Sequence, residues 1–329
     1  MDEDTRTTIA VLDVVETVED AGAAAGRDAK DTAQSCENAR VVAKFYEAYA
    51  ARDVDAAAQL AAPDFVLHVP GRGVLAGEHW GTDGFRRYLS IIQAHSGAVF
   101  DFRVTAIAVN GEHVFTREVL ELTRAGEPDS RFVLRISNWF KLRGSLLSEA
   151  WVIPEHQRAY DAYWSSAKSA SGAAAMSTPR ERYGGVDLER AASTKPRALL
   201  ERMYDRFWRG DAAAMRETVD DDVVVNIVGE SAMSGVYRGW DGYMEFRRRL
   251  MSMAASKYKL DVVALAAGGR DVFAVEYIRM NRSWDPTLQE IYVLMHFEVD
   301  DGRVTRMDDF PFDTYAWEQF YTPDARWEG

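Results

Sequence analysis

Residues 64–85 read DFVLHVPGRGVLAGEHWGTDGF, and residues 222–243 read DVVVNIVGESAMSGVYRGWDGY. The two stretches align without a gap. Asp64 falls on Asp222, Gly71 on Gly229, Gly77 on Gly235, Gly81 on Gly239, Asp83 on Asp241 and Gly84 on Gly242, a constant spacing of 158 (222−64 = 158). Each copy opens as a short strand, passes a glycine-rich loop and enters a helix near its second aspartate. A unit repeated at this length reads as one domain present twice.

Working outward from the first copy, Val41, Val42, Phe45, Tyr46 and Tyr49 form an apolar stripe on a helix that starts near Asn38 and ends near Arg52. Asp53 is placed to cap a second short helix over 54–62, which Pro63 ends. A strand over 64–69, the glycine loop and a helix over 82–94 follow. Four extended segments come next, at 99–109, 112–124, 130–143 and 146–153. Asn110-Gly111 is a hairpin signal between the first two, and a helix over 155–164 closes the unit. The second copy retraces this order. Leu199, Leu200, Met203, Tyr204 and Phe207 form the first helical stripe, and Asp211 matches Asp53. A helix over 240–253 precedes strands at 257–266, 271–283, 287–299 and 304–310 and a last helix over 313–321. The predicted organisation is an acidic tail (1–37), a first domain (38–165), a linker without periodicity (166–195), a second domain (196–322) and a short tail (323–329). Helices followed by an antiparallel meander give an α+β class. Each unit is expected to place three to four helices on a strongly bent sheet, forming a cone whose apolar interior suits one small molecule.

Composition narrows the function classes. With 329 residues, 47% hydrophobic and 12% aromatic, the chain can build two cores. Its net charge of −13 argues against nucleic acid and against an anionic membrane as partner. Its one cysteine, Cys36, allows no internal disulfide and fits a reducing compartment. The N-terminal MDEDTRTT has no signal-peptide pattern, so a cytoplasmic location is expected. No HExxH, Cys/His cluster, dinucleotide glycine spacing or G-x-S-x-G elbow occurs, so neither a metal nor a cofactor is expected.

HVPGRGVLAG, GTDGFRRYL, WFKLRG and AWVIPEHQRAYDAYW in the first copy, with VGESAMSGVYRGWDGY and DFPFDTYAWEQFY in the second, resemble the SnoaL-like branch of the NTF2-like superfamily. The resemblance covers roughly residues 38–165 and 196–322. It implies two tandem cone-shaped barrels, packed as an internal pseudo-dimer and open to further homo-oligomerisation. The superfamily includes polyketide cyclases, ketosteroid isomerases, epoxide hydrolases and barrels that only bind, so the fold does not choose among them. The general-base Asp of ketosteroid isomerases would fall on Val69 and Ile227, and their oxyanion Tyr on Phe45 and Met203. Neither copy keeps that constellation.

Other residues offer chemistry. Glu118 and Glu276, again 158 apart, stand mid-strand in VFTREVLEL and VFAVEYIRM. A carboxylate in an apolar cavity would have a raised pKa and act as acid or base near neutrality; the alternative is an ion pair with Arg135 or Arg279. His68 suits proton transfer, but strand alternation turns it away from the interior if Val69 faces in. Its counterpart Asn226 can only hydrogen-bond. The resemblance implies an acid/base at a late Asp, which falls on Asp313 and, in the first copy, on His156; Asp313 could instead cap the last helix. Tyr46, Trp139, Trp151, Tyr204, Asn226, His296 and Asp309 are read as cavity-wall or substrate-contacting positions. Of Asp308 and Asp309 at most one looks inward, and His296 is matched with Asn138. The leading expectation is a cofactor-independent acid/base enzyme cyclising or isomerising an apolar polyketide-like molecule, with epoxide opening as a variant. The alternative is a barrel that binds or sequesters without turnover.

Overall fold

The computed structural model describes residues 29–165, 195–254, 259–282 and 284–322. Most of the expected acidic tail, nearly all of the linker and the last seven residues lie outside them. The chain divides into two compact units, one for each repeat.

In the first unit, helix α1 (Ala29–Ala50) begins earlier than the apolar stripe suggests, since DTAQS at its start carries no apolar periodicity. Helix α2 (Val54–Gln59) is capped by Asp53, whose carboxylate accepts from the Ala56 amide at 2.9 Å. Strands β1 (Ala61–Val69) and β2 (Gly77–Trp80) lead into helix α3 (Gly81–His95). Strands β3 (Ser96–Asn110), β4 (His113–Arg124), β5 (Glu127–Arg143) and β6 (Leu146–Pro154) precede helix α4 (Gln157–Trp164). The strands are ordered β2-β1-β6-β5-β4-β3. The meander β3–β6 is antiparallel as expected, and β1 joins its edge in parallel with β6. Strand β2 was not legible: four residues without alternation become a strand only because β1 offers an edge, pairing Val66 with Trp80 and Val69 with Gly77.

The second unit repeats the plan with α5 (Lys195–Arg209), α6 (Ala212–Met215), β7 (Val219–Ile227), β8 (Gly235–Arg238), α7 (Gly239–Met253), β9 (Lys259–Gly268), β10 (Asp271–Arg282), β11 (Asp285–Asp300), β12 (Arg303–Pro311) and α8 (Thr314–Phe320). Its strands run in the order β9-β10-β11-β12-β7-β8, with β12–β7 parallel. Among the described residues no helix is long and apolar enough to cross a membrane.

The helices cover one face of each sheet. In the first unit Phe85 lies between Phe65 and Phe45, with ring centroids 4.8 and 5.9 Å away. The glycine loop that revealed the repeat is a latch. Gly71 takes φ +103°, and a Cβ there would lie 2.1 Å from Gln157 Nε2 and 2.3 Å from Asp161 Oδ1. That close approach lets buried Asp161 accept from the Arg72 and Gly73 amides at 2.9 and 3.1 Å. Glu318 does the same for the Glu230 amide at 2.8 Å. The loop amides are thus held by the closing helix.

Two irregularities decide which side chains face inward. Opposite each central glutamate the sheet bulges: the register of β3 on β4 shifts between Val104 and Ala106, and that of β9 on β10 between Val275 and Glu276. Such bulges bend the strand and raise its twist. The second irregularity is in a hairpin. Glu118 pairs with Ile136, but Glu276 pairs with Val293 (293−136 = 157). The β10–β11 hairpin is therefore one residue shorter than its partner, and the spacing of 158 becomes 157 beyond it. His296 consequently matches Trp139, not Asn138. The counterpart of Asn138 is Met295, and that of Asp309 is Val152.

Candidate functional site

Each unit encloses a cavity between its helices and the concave face of its sheet. Counting the space open to solvent at the mouth, the atom-free volume is about 610 Å³ in the second unit and about 500 Å³ in the first.

In the first cavity Glu118 projects from β4 among Leu67, Leu120, Phe140 and Val152. It is 5% exposed, and its Oε2 has no hydrogen-bond partner among the described residues. Burial raises its pKa to about 7, against the pull of the Asn138 amide and the Tyr46 hydroxyl. Tyr46 from α1 lies 2.7 Å from the Thr116 hydroxyl. The Asn138 amide donates to both oxygens, at 3.3 and 3.4 Å. The polar set is thus one carboxyl group beside a knot of neutral groups.

The second cavity differs where the hairpin offset predicts. Tyr204 from α5 donates to Oε1 of Glu276. Burial raises Glu276 to about 7, and the tyrosine bond pulls the other way. Met295 stands where Asn138 stood, and Asp309 on β12 takes the place of Val152. Asp309 is 6% exposed, and its Oδ1 is without a hydrogen-bond partner among the described residues. Burial first, then the charges of Glu276 and Asp308, push it well above the ordinary carboxylate range. Met203, Met233, Met307, Phe246, Trp317 and Tyr321 supply much of the wall.

The structure therefore brings Glu118 and Tyr46 together in one cavity, and Glu276, Tyr204 and Asp309 in the other. The remaining candidates are corrected. His68, Trp139 and Trp151 alternate with cavity-lining Leu67, Asn138, Ala150 and Val152, so they face the other side of the sheet. There His68 lies 2.8 Å from Glu149 and stacks on Trp151, which stacks on Trp139 with centroids 4.1 Å apart. His296 and Asn226 are also on the far face. His296 sits 2.7 Å from Asp271 and 3.1 Å from Asp308, and Asn226 donates to Asp308 at 3.2 Å. Asp308 further accepts two 2.7 Å bonds from Arg306. Asp313 is an exposed N-cap, accepting from the Ala316 amide at 3.0 Å. His156 holds the corresponding exposed position before α4 and makes no capping bond. Neither lines a cavity.

The sequence reading did not assign Thr116 a role, left the direction of Asn138 open and did not find the methionine wall. Thr116 had a usable signal, since it lies two residues before Glu118 on the same strand and so shares its face. The methionines had none, because the four come from separate parts of the chain: α5, the β7–β8 loop, β11 and β12.

An uncharacterized protein of Mycobacterium tuberculosis (strain ATCC 25618 / H37Rv) is 29% identical over 126 residues, covering 37% of this chain and 93% of its own length. Among solved structures, an LEH-like epoxide hydrolase of M. tuberculosis is 19% identical, covering 39% of this chain and 91% of its own, with a TM-score of 0.31. Bal32a, from a soil-derived mobile gene cassette, is 20% identical, covering 39% and 96%, with a TM-score of 0.36. The model of the SnoaL-like domain matches residues 42–150 and again residues 200–307. The chain belongs to the SnoaL-like domain family and carries that domain twice.

Proposed function

We propose that this protein is a cofactor-independent acid/base enzyme acting on an apolar small molecule of the polyketide-like kind, with the second cavity as its reaction chamber. The observation that carries the reading is the pairing of Glu276 and Asp309 in one apolar cavity. Two carboxyl groups in a common dry space do not ionise together, so one remains an acid while the other becomes a base. Asp309, pushed up by burial and by the charge of Glu276, is the acid. Glu276, titrating near 7 and oriented by Tyr204, is the base. Glu276 takes a proton from the substrate and Asp309 delivers one to the oxygen where charge develops. The net change is a proton relocation, as in isomerisation or ring closure, and epoxide opening would use the same pair with water as the nucleophile.

The first cavity supports a second reading for its own unit, binding without turnover. Glu118 there has no second carboxyl group, because Val152 occupies the position of Asp309, and Tyr46, Thr116 and Asn138 are bonded to one another.

The test is incubation of the protein with a panel of polycyclic and epoxide-bearing substrates, read by chromatography with mass detection. A product of unchanged mass is expected from the wild type and from Glu118→Gln, with at least a tenfold loss, about 1.4 kcal/mol in barrier, in Glu276→Gln and Asp309→Asn. Retention of ligand without conversion would leave only the binding reading.

A further inference from the structure

We infer that the ligand of the second cavity is a lipophilic cation, an apolar or aromatic skeleton carrying a protonated amine or quaternary nitrogen. The inference rests on the proposed function only in taking this cavity as the ligand site.

The lining holds two carboxyl groups and, among the described residues, no Lys, Arg or His. The titratable groups facing Glu276 are all of one kind: Tyr204 from α5, Tyr243 from α7, Asp309 from β12 and Tyr321 after α8. The arginines near this sheet are engaged elsewhere, Arg306 with Asp308, Arg279 with Asp261 and Arg282 with Asp285. Asp309 Oδ1 is buried without a hydrogen-bond partner among the described residues, so the cavity holds a carboxyl oxygen that a ligand can engage.

Each ligand class meets this lining differently. An anion would face like charge in a low-dielectric space. Above about pH 7 a neutral ligand would leave the Glu276 carboxylate desolvated and uncompensated, the costly arrangement for a buried charge. A cation supplies the missing partner and gains attraction from aromatic faces such as Tyr243, Phe246, Trp317 and Tyr321. The methionines Met203, Met233, Met295 and Met307 give soft, adaptable contacts for an irregular skeleton. The first cavity is the internal contrast. It has one carboxyl group, with the amide of Asn138 beside it as a donor, and so has less to offer a cation.

Binding of such a cation should expel the proton that Glu276 holds below about pH 7, while Asp309 keeps its own. Its affinity should therefore rise with pH through about 7, where Glu276 loses its proton.

The experiment uses the full chain and two probes of matched shape, 1-naphthylmethylamine and 1-naphthylmethanol, titrated calorimetrically at pH 6 and pH 8 in buffers of different ionisation enthalpy. The amine should bind at least about tenfold more tightly than the alcohol at pH 8, a difference of about 1.4 kcal/mol. It should release protons at pH 6, where Glu276 is still protonated, and lose its advantage at pH 8 in Glu276→Gln. Asp309→Asn gives a second variant should the first fail to fold, with a smaller advantage of the amine over the alcohol expected. Equal or tighter binding of the alcohol overturns the cation assignment and leaves the acid/base reading standing. Failure of both probes to bind overturns both.

Discussion

The phenol of Tyr204 donates its hydrogen bond to the carboxylate of Glu276. The equivalent Tyr46 in the first unit instead lies 2.7 Å from Thr116. Ala274 stands at the position of Thr116, so the second tyrosine has no competing hydroxyl and turns to the glutamate. The same helix-to-strand contact is thus given wholly to a base in one unit and shared between Glu118 and a neutral network in the other.

That bond stabilises the ionised form of Glu276, so Tyr204→Phe should move Glu276 further above 7. A hydrogen bond to a charged group is worth about 1.5–3 kcal/mol, which corresponds to about one to two pKa units. Carboxyl-carbon NMR titration of the wild type and variant measures this directly. In the pH–rate profile, the limb that reports Glu276 ionisation should shift to higher pH by the same amount.

Glu118 and Glu276 also set a pH dependence of stability. Both rise from 4.5 to about 7 on folding, chiefly through burial. Below 4.5 each is protonated in both states and costs nothing. Between 4.5 and 7 the folded state binds more protons than the unfolded state, so stability falls as pH rises, and above 7 the whole penalty is present. At about 1.4 kcal/mol per unit, each glutamate costs up to about 3 kcal/mol at pH 8. Glu118→Gln and Glu276→Gln should therefore each stabilise the protein more at pH 8 than at pH 4.5, as denaturant melts at the two pH values will show.

The latch between glycine loop and closing helix predicts a ranking of two alanine substitutions. Gly111 has φ +56° with open space around its missing Cβ, so Gly111→Ala carries only backbone strain of about 1 kcal/mol. Gly71→Ala adds a collision with Gln157 and Asp161, which raises the cost to about 3 kcal/mol. Urea denaturation of the two variants compares them, and a smaller loss for Gly71→Ala would discount the latch.

Asp313 separates a cap from a catalyst. Its carboxylate accepts the Ala316 amide, and losing an N-cap costs about 1 kcal/mol. Asp313→Ala should lower the melting temperature by a few degrees and leave turnover intact. A large drop in turnover with an unchanged melt would restore the catalytic role that the sequence suggested.

The sequence by itself determined the repeat, the α+β class and the family. Glycine positions such as Gly71 and Gly229 follow from local backbone geometry, which spacing in the chain records directly. It also picked out Glu118 and Glu276, because a carboxylate among apolar strand neighbours stands out in one dimension. Tertiary structure decided which face each side chain takes. Side chains on a strand alternate with a period of two, so a single bulge residue or a hairpin shorter by one inverts the parity of everything that follows. The bulges opposite Glu118 and Glu276 and the shortened β10–β11 hairpin have no residue signature of their own. The shortened hairpin sent His296 to the far face and brought Asp309 in. The raised pKa values of Glu276 and Asp309 likewise required closure of the cavity, since desolvation is set by what surrounds a group in space.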